Sequence, residues 1–288
     1  MPRRLLGVLA AAFLGTATLT AGASTASAAT STAPSALAPL KVAAVDFHGI
    51  VALSNCSGSL VRTPNSADSD PALVLTNGHC YEGGMPSAGQ VIKNRSSSRT
   101  FTLLNSSGTG SLGTLRANSM LYATMTDTDV ALYRLNRTYA SIQQTYGTTA
   151  LELSLQHPTA GTGLRVVSGY WRRMYSCNLD GFAYRLRESQ WTWKDSVRYT
   201  SSCNTIGGTS GSPVIDAASG KVIAVNNTMN EDGASCTLNN PCEVDEAGNV
   251  TVRQNIGYAQ ETYILGACIA PGSVIDFNRP GCLVPSGA

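Results

Sequence analysis

The chain has 288 residues, 20 Lys+Arg against 18 Asp+Glu, and only 13% charged residues, where a typical domain carries about 25%. Near-neutrality of this kind provides no basic stripe for a phosphate backbone, which excludes a nucleic-acid partner. No apolar run is long enough to span a bilayer as a helix, so the chain is not expected to span a membrane or to have one as its partner.

The first segment, residues 1–28, reads as a signal peptide. Arg3 and Arg4 form a basic start, Leu5 to Leu14 an apolar centre, and Ala26-Ser27-Ala28 a small-residue cleavage site. The expectation is a secreted, soluble protein. Its balance falls to zero, because the two arginines leave with the signal and no acid does. All eight cysteines (Cys56, Cys80, Cys177, Cys203, Cys236, Cys242, Cys268, Cys282) lie beyond it, and an even count behind an export signal implies four disulfides. No C-x-x-C pair and no H-E-x-x-H is present, so a zinc site is disfavoured. About 260 residues remain after cleavage, enough to bury a core, so the bridges should trim loops.

Residues 29–41, rich in Ser, Ala, Thr and Pro, form a flexible lead-in or short pro-segment. Short β-prone runs follow at Ile50–Ser54, Leu60–Arg62, Ala72–Thr76, Phe101–Leu104, Met120–Met125 and Val130–Leu135. The polar stretch Asn136 to Gly163 marks a boundary between a first domain, 42–150, and a second, 151–288. A second set of runs comprises Leu164–Gly169, Ala183–Arg187, Val214–Ile215, Val222–Asn226 and Asn255–Ala259, and Gln260–Gly266 is the one candidate helix. Strands this short, closely spaced and separated by Gly, Asn and Ser clusters indicate an all-β sandwich or barrel.

The chemistry centres on Gly208-Thr209-Ser210-Gly211-Ser212-Pro213. A serine between glycines just ahead of a strand can expose its hydroxyl, but it needs a base, and the oxyanion it generates needs fixed donors. All three histidines, His48, His79 and His157, precede Ser210. That excludes an α/β-hydrolase, whose histidine follows the serine, and Ser212 breaks the G-x-S-x-G pattern. His79 ends a buried-type strand in Thr76-Asn77-Gly78-His79-Cys80 and is the candidate base, whereas His48 and His157 read as ordinary satisfied residues. Asp129, directly before Val130-Ala131-Leu132, is the candidate partner acid. Asp127, in the polar turn ahead of it, is its rival and reads as solvated.

These pieces resemble the chymotrypsin-fold (trypsin-like) serine peptidases, and the secreted bacterial branch that includes glutamyl endopeptidases looks most similar. The resemblance rests on Cys56-Ser57-Gly58-Ser59-Leu60, Thr76-Asn77-Gly78-His79-Cys80, Asp129-Val130-Ala131-Leu132 and Gly208-Thr209-Ser210-Gly211-Ser212-Pro213, with Ser168-Gly169-Tyr170-Trp171 and Ile256-Gly257-Tyr258-Ala259 as weaker matches. It implies two six-stranded antiparallel β-barrels with the active site in the cleft between them, and a short C-terminal helix. The first barrel would carry His79 and Asp129, and the second Ser210 and a disulfide-stapled C-terminal tail. It also implies a serine endopeptidase acting by a His-Asp-Ser triad through an acyl-enzyme, with the Gly208 and Ser210 N–H groups as oxyanion hole. A non-catalytic binding protein on the same fold, or an acyl hydrolase or esterase, is the alternative. Thr209 stands where animal trypsin-like enzymes carry an aspartate, so their activation switch should be absent. Asn204 occupies the position of the acid in trypsin-like specificity, and Val225-Asn226-Asn227-Thr228 lacks the histidine of the glutamyl branch. Asn204, Thr205, Asn226 and Asn227 are therefore the candidate substrate-binding residues of a polar, uncharged pocket, with Glu231 or Asp232 able to fold in. The family staples the histidine loop, which implies Cys56–Cys80. The short-range set Cys177–Cys203, Cys236–Cys242 and Cys268–Cys282 is favoured for the rest, with Cys203–Cys236 as the rival. Asn230-Glu231-Asp232-Gly233 reads as a solvated turn rather than a calcium loop. No cofactor and no metal are expected; the partner is a protein or peptide substrate, and the protein a monomer.

Overall fold

The computed structural model describes residues 44–287, so the signal and lead-in assignments lie outside the described residues. The first half holds β1 (Ile50–Ala52), β2 (Ser57–Arg62), β3 (Pro71–Thr76), β4 (Val91–Ser96), β5 (Thr100–Leu104), β6 (Ser111–Thr124) and β7 (Val130–Thr138). Antiparallel pairing runs β1–β2–β3–β7–β6–β5 and returns to β1, closing a six-stranded barrel, with β4 added outside on β6. Closure leaves the ring without unpaired edges. Next come α1 (Tyr139–Tyr146) and β8 (Leu151–Glu152), which joins β2 in parallel.

The second half holds β9 (Gly163–Ser168), β10 (Arg173–Glu188), β11 (Trp191–Tyr199), β12 (Pro213–Asp216), β13 (Val222–Met229), β14 (Cys242–Val244), β15 (Val250–Val252) and β16 (Gly257–Glu261). The ring β9–β10–β11–β16–β13–β12 closes on β9 as a second six-stranded antiparallel barrel. β14 and β15 extend outward from β10. The chain ends with α2 (Tyr263–Gly266) and a hairpin of β17 (Ile269–Ala270) and β18 (Val274–Ile275).

Each barrel has its own apolar filling. Val51, Leu60, Val74, Phe101 and Tyr133 pack in the first, and Leu164, Val166, Val197, Tyr199 and Val214 in the second. A third cluster joins residues of both halves, Ile50, Leu75, Val167 and Val225, to Leu265, Cys268, Ile269 and Val284 of the C-terminal segment. Complete burial of such side chains stabilises by about 1.5–3 kcal/mol each. The C-terminal segment thus returns to the first barrel. Ser273 Oγ donates to the Pro71 carbonyl at 2.5 Å and Tyr122 OH to the Pro285 carbonyl at 2.7 Å.

The helix expected over Gln260–Gly266 is confined to its last turn. Gln260 and Glu261 instead pair with Val225 and Ala224, because the neighbouring strand offers their backbone a full ladder. Conversely, the polar stretch after Asn136 contains α1. The Thr138 side chain caps its N-terminus by accepting from the Ser141 N–H, and Gly147, in left-handed conformation, ends it. Its buried face is only Tyr139 and Ile142, too thin to show as a period. Four disulfides are formed: Cys56–Cys80, Cys177–Cys203, Cys236–Cys242 and Cys268–Cys282.

Candidate active site

β3 delivers its buried run Leu73 to Thr76 into a single 3-10 turn, Gly78–Cys80, and His79 sits at the centre of that turn. Cys80 anchors the turn to Cys56. Across from it, Asp129 stands immediately before β7 and is fully buried. Its Oδ1 accepts the His79 backbone N–H at 2.9 Å and its Oδ2 faces His79 Nδ1 at 2.7 Å. A carboxylate can only accept, so Nδ1 carries the proton and Nε2 keeps a free lone pair. Asn77 Nδ2 donates to the Asp129 carbonyl at 2.8 Å, which fixes the acid in turn. Burial alone would lower the His79 pKa. The charge and hydrogen bond of Asp129, with the nearby charge of Glu188, outweigh it and hold the imidazole above its ordinary value. Asp127 takes a left-handed conformation, and its carboxylate pairs with Lys194 of β11.

Ser210 lies in the tight turn ahead of β12. Gly208 has φ +86° and Gly211 φ +80°, values that L side chains rarely adopt. A Cβ on Gly211 would also lie 2.1 Å from the Ser57 carbonyl oxygen, so that approach requires glycine. Thr209, Gly211 and Ser212 spend their N–H groups on Ile206, Asn226 and Thr209 carbonyls. Among the described residues, the N–H groups of Gly208 and Ser210 donate to no protein acceptor. Behind the turn runs a buried chain of hydrogen bonds. Tyr199 OH donates to Asn226 Oδ1 at 3.0 Å, Asn226 Nδ2 to Thr209 Oγ1 at 3.1 Å, and Thr209 Oγ1 to the Ile206 carbonyl at 2.5 Å. On the outer side, Trp171 Nε1 donates to the Gly207 carbonyl at 2.8 Å.

The two barrels are stitched directly behind the serine. The Ser57 N–H donates to the Ser210 carbonyl at 2.8 Å, and Ser57 follows Cys56, whose disulfide partner adjoins His79. His79 and Ser210 line one pocket with Asp129. Ser210 Oγ donates to the Asn227 carbonyl at 3.3 Å and makes no hydrogen bond with His79.

Of the residues assigned to substrate binding, Thr205, Asn226 and Asn227 line this pocket. Asn204 is an exposed left-handed residue outside it. Asn226 is tied to the nucleophile turn, whereas both polar side-chain atoms of Asn227 are buried without partners. Glu231 lines the pocket as an exposed residue. Glu188, at the end of β10, also lines it and was not singled out from the sequence. It is 5% exposed; Oε1 accepts the Asn239 N–H at 2.9 Å, while Oε2 is buried without a hydrogen-bond partner. Burial raises its pKa, partly offset by the Thr228 side chain, the Asn239 N–H and the His79 charge. One signal pointed to it: Leu186, Arg187 and Glu188 alternate in, out, in, which puts an acid on the inward phase of a strand.

Two other clusters bear on metal binding. Cys56 and Cys80 beside His79 are joined in a disulfide and hold no thiolate to offer. His157 Nε2 lies 3.0 Å from Asp195 Oδ2 and 3.1 Å from Glu261 Oε1, while its Nδ1 faces the Pro158 carbonyl at 2.7 Å. Both ring nitrogens of His157 are thus already engaged by oxygens of the protein. Burial and the Asp195 carboxylate push the Glu261 pKa up to about 9. His48 pairs with Asp46 at 2.6 Å. In the Asn230–Gly233 loop, Asn230 spends its side chain on the Ala234 and Pro241 carbonyls and the Gly233 N–H.

A family model described as a trypsin-like peptidase domain matches residues 56–225. No curated protein matches the sequence. Among solved structures, the chain is similar to the MamO protease domain from Magnetospirillum magneticum, at 12% identity and TM-score 0.46 over 77% of this chain and 95% of that one. It is also similar to the Nocardiopsis protease NAPase, at 15% identity and TM-score 0.43 over 76% and 93% of the two chains. The thermostable serine protease AL20, from an extremophilic microorganism, gives 18% identity and TM-score 0.43 over 75% and 91%.

Proposed function

The chain belongs to the family of trypsin-like peptidase domains, and from that premise we propose that it is a secreted serine endopeptidase whose triad is His79, Asp129 and Ser210. The observation that carries the reading is the two-point hold of Asp129 on His79, which leaves Nε2 free in the pocket that also contains Ser210. Ser210 Oγ turns about one bond, from the Asn227 carbonyl to His79 Nε2. His79 removes its proton as the oxygen attacks a peptide carbonyl. The uncommitted Gly208 and Ser210 N–H groups receive the oxyanion, a contribution of about 3–4 kcal/mol per donor in such sites. His79 then gives the proton to the leaving amine, and water enters by the same route in reverse to free the acid.

The unformed Ser210–His79 hydrogen bond is the one observation that favours a non-catalytic binding protein, although such bonds often tighten only when substrate binds. Four disulfides support an oxidising, extracellular setting, and among the described residues no helix is long and apolar enough to cross a membrane. Labelling with a fluorophosphonate probe tests the reading. Wild type should label and hydrolyse peptides, and Ser210→Ala should do neither. Label that persists in Ser210→Ala removes Ser210 as the nucleophile.

A further inference from the structure

We propose that Glu188 selects the substrate: the pocket beside Ser210 takes a lysine or arginine side chain next to the cleaved bond, held by the Glu188 carboxylate with Asn227. The inference rests on the peptidase reading of the same site and goes beyond it to the substrate class. It replaces the uncharged pocket expected from the sequence.

The Glu188 carboxylate is fixed by the Asn239 N–H on Oε1, while Oε2 remains buried and unpartnered in the pocket. A buried carboxylate oxygen without a donor is costly, and an ammonium or guanidinium brings both the donor and the opposite charge. Asn227, 3% exposed, adds a second incomplete group, since its Oδ1 and Nδ2 have no partners and its Oδ1 is a ready acceptor for a cation. Met125, Trp191, Trp193 and Met229 supply apolar wall along which the methylene stem of a long basic side chain can lie. The lining contains no lysine or arginine to neutralise Glu188, and the exposed Glu231 adds to the attraction for a cation. Asn204 stands outside the pocket, so the acid comes from the end of β10 and not from the segment leading to the nucleophile.

The experiment compares peptides that differ only in carrying arginine or its uncharged isostere citrulline at each position flanking the cleaved bond. At one position kcat/KM should favour arginine by about a hundredfold, and Glu188→Gln should collapse that ratio to within a few-fold of one. Because a buried substitution can prevent folding, wild-type enzyme is also challenged with n-butylguanidine and with uncharged n-butylurea, and only the guanidine should compete. Equal rates on arginine and citrulline peptides in an enzyme that labels and turns over would overturn the inference and leave the peptidase reading intact. A full preference surviving in Glu188→Gln would overturn it as well. Absence of both labelling and turnover in wild type would instead remove the peptidase reading beneath it.

Discussion

At the residue scale, the site is defined by which atoms are committed and which are left free. Asp129 uses both oxygens on His79, so Asp129→Asn presents an amide where an acceptor is needed and invites the wrong tautomer. On the proposed mechanism, turnover should fall by about four orders of magnitude while the fold persists, as read by peptide hydrolysis and thermal unfolding. The charge on His79 gives a second expectation. Its pKa is raised, so the profile of kcat/KM should climb with pH through a midpoint above the ordinary 6.5 and lose activity below it. Glu188 contributes to that rise, so Glu188→Gln should move the midpoint downward in a pH–rate profile. A midpoint unmoved by the substitution would disconnect Glu188 from the base. His79 and Ser210 were legible in the sequence because strand ends and glycine turns leave local marks. Glu188 was harder to find, because an acid in a long polar-alternating strand reads as solvated unless its phase is followed from Leu186.

At the scale of elements, the nucleophile turn is held from behind by strands of the second barrel. Thr209 is held by Asn226 of β13, which Tyr199 of β11 holds in turn. Asn226→Ala would leave the Tyr199 hydroxyl and Thr209 with unmet partners, a loss of about 1–3 kcal/mol. It should lower kcat more than it raises KM, and steady-state kinetics with a denaturation curve separate the two. Most strands could be read from short β-branched runs. The full reach of β10 and the whole of β11 were missed, although Trp191, Trp193, Val197 and Tyr199 share one inward phase. Charged residues between them hid it. The misjudged helix at Gln260 has the opposite cause: local propensity lost to a strand partner 35 residues earlier, Val225.

At the scale of the whole molecule, the junction between barrels carries an unusual acid. Glu261 of β16 is 3% exposed, faces His157 and Asp195, and has its pKa pushed up to about 9. A carboxyl held protonated by the fold stabilises it fully below about pH 4.5, and that contribution is lost progressively as pH rises through about 9. Glu261→Gln keeps a neutral side chain throughout, so the fall in Tm between pH 5 and pH 9 should become shallower than in wild type. An unchanged slope would mean that Glu261 is already ionised in the folded protein.

The C-terminal segment crosses back to the first barrel, where Leu265, Ile269 and Val284 enter a cluster shared with Ile50 and Leu75. The order of synthesis gives that crossing a consequence. The residues that cover this side of the first barrel lie far downstream of its last strand, β7, so a growing chain can close the six-stranded ring while Ile50 and Leu75 still lack their cover. A nick or truncation ahead of Val284 would leave the ring's pairing in place and open the shared cluster, turning buried apolar surface into a site for unwanted association.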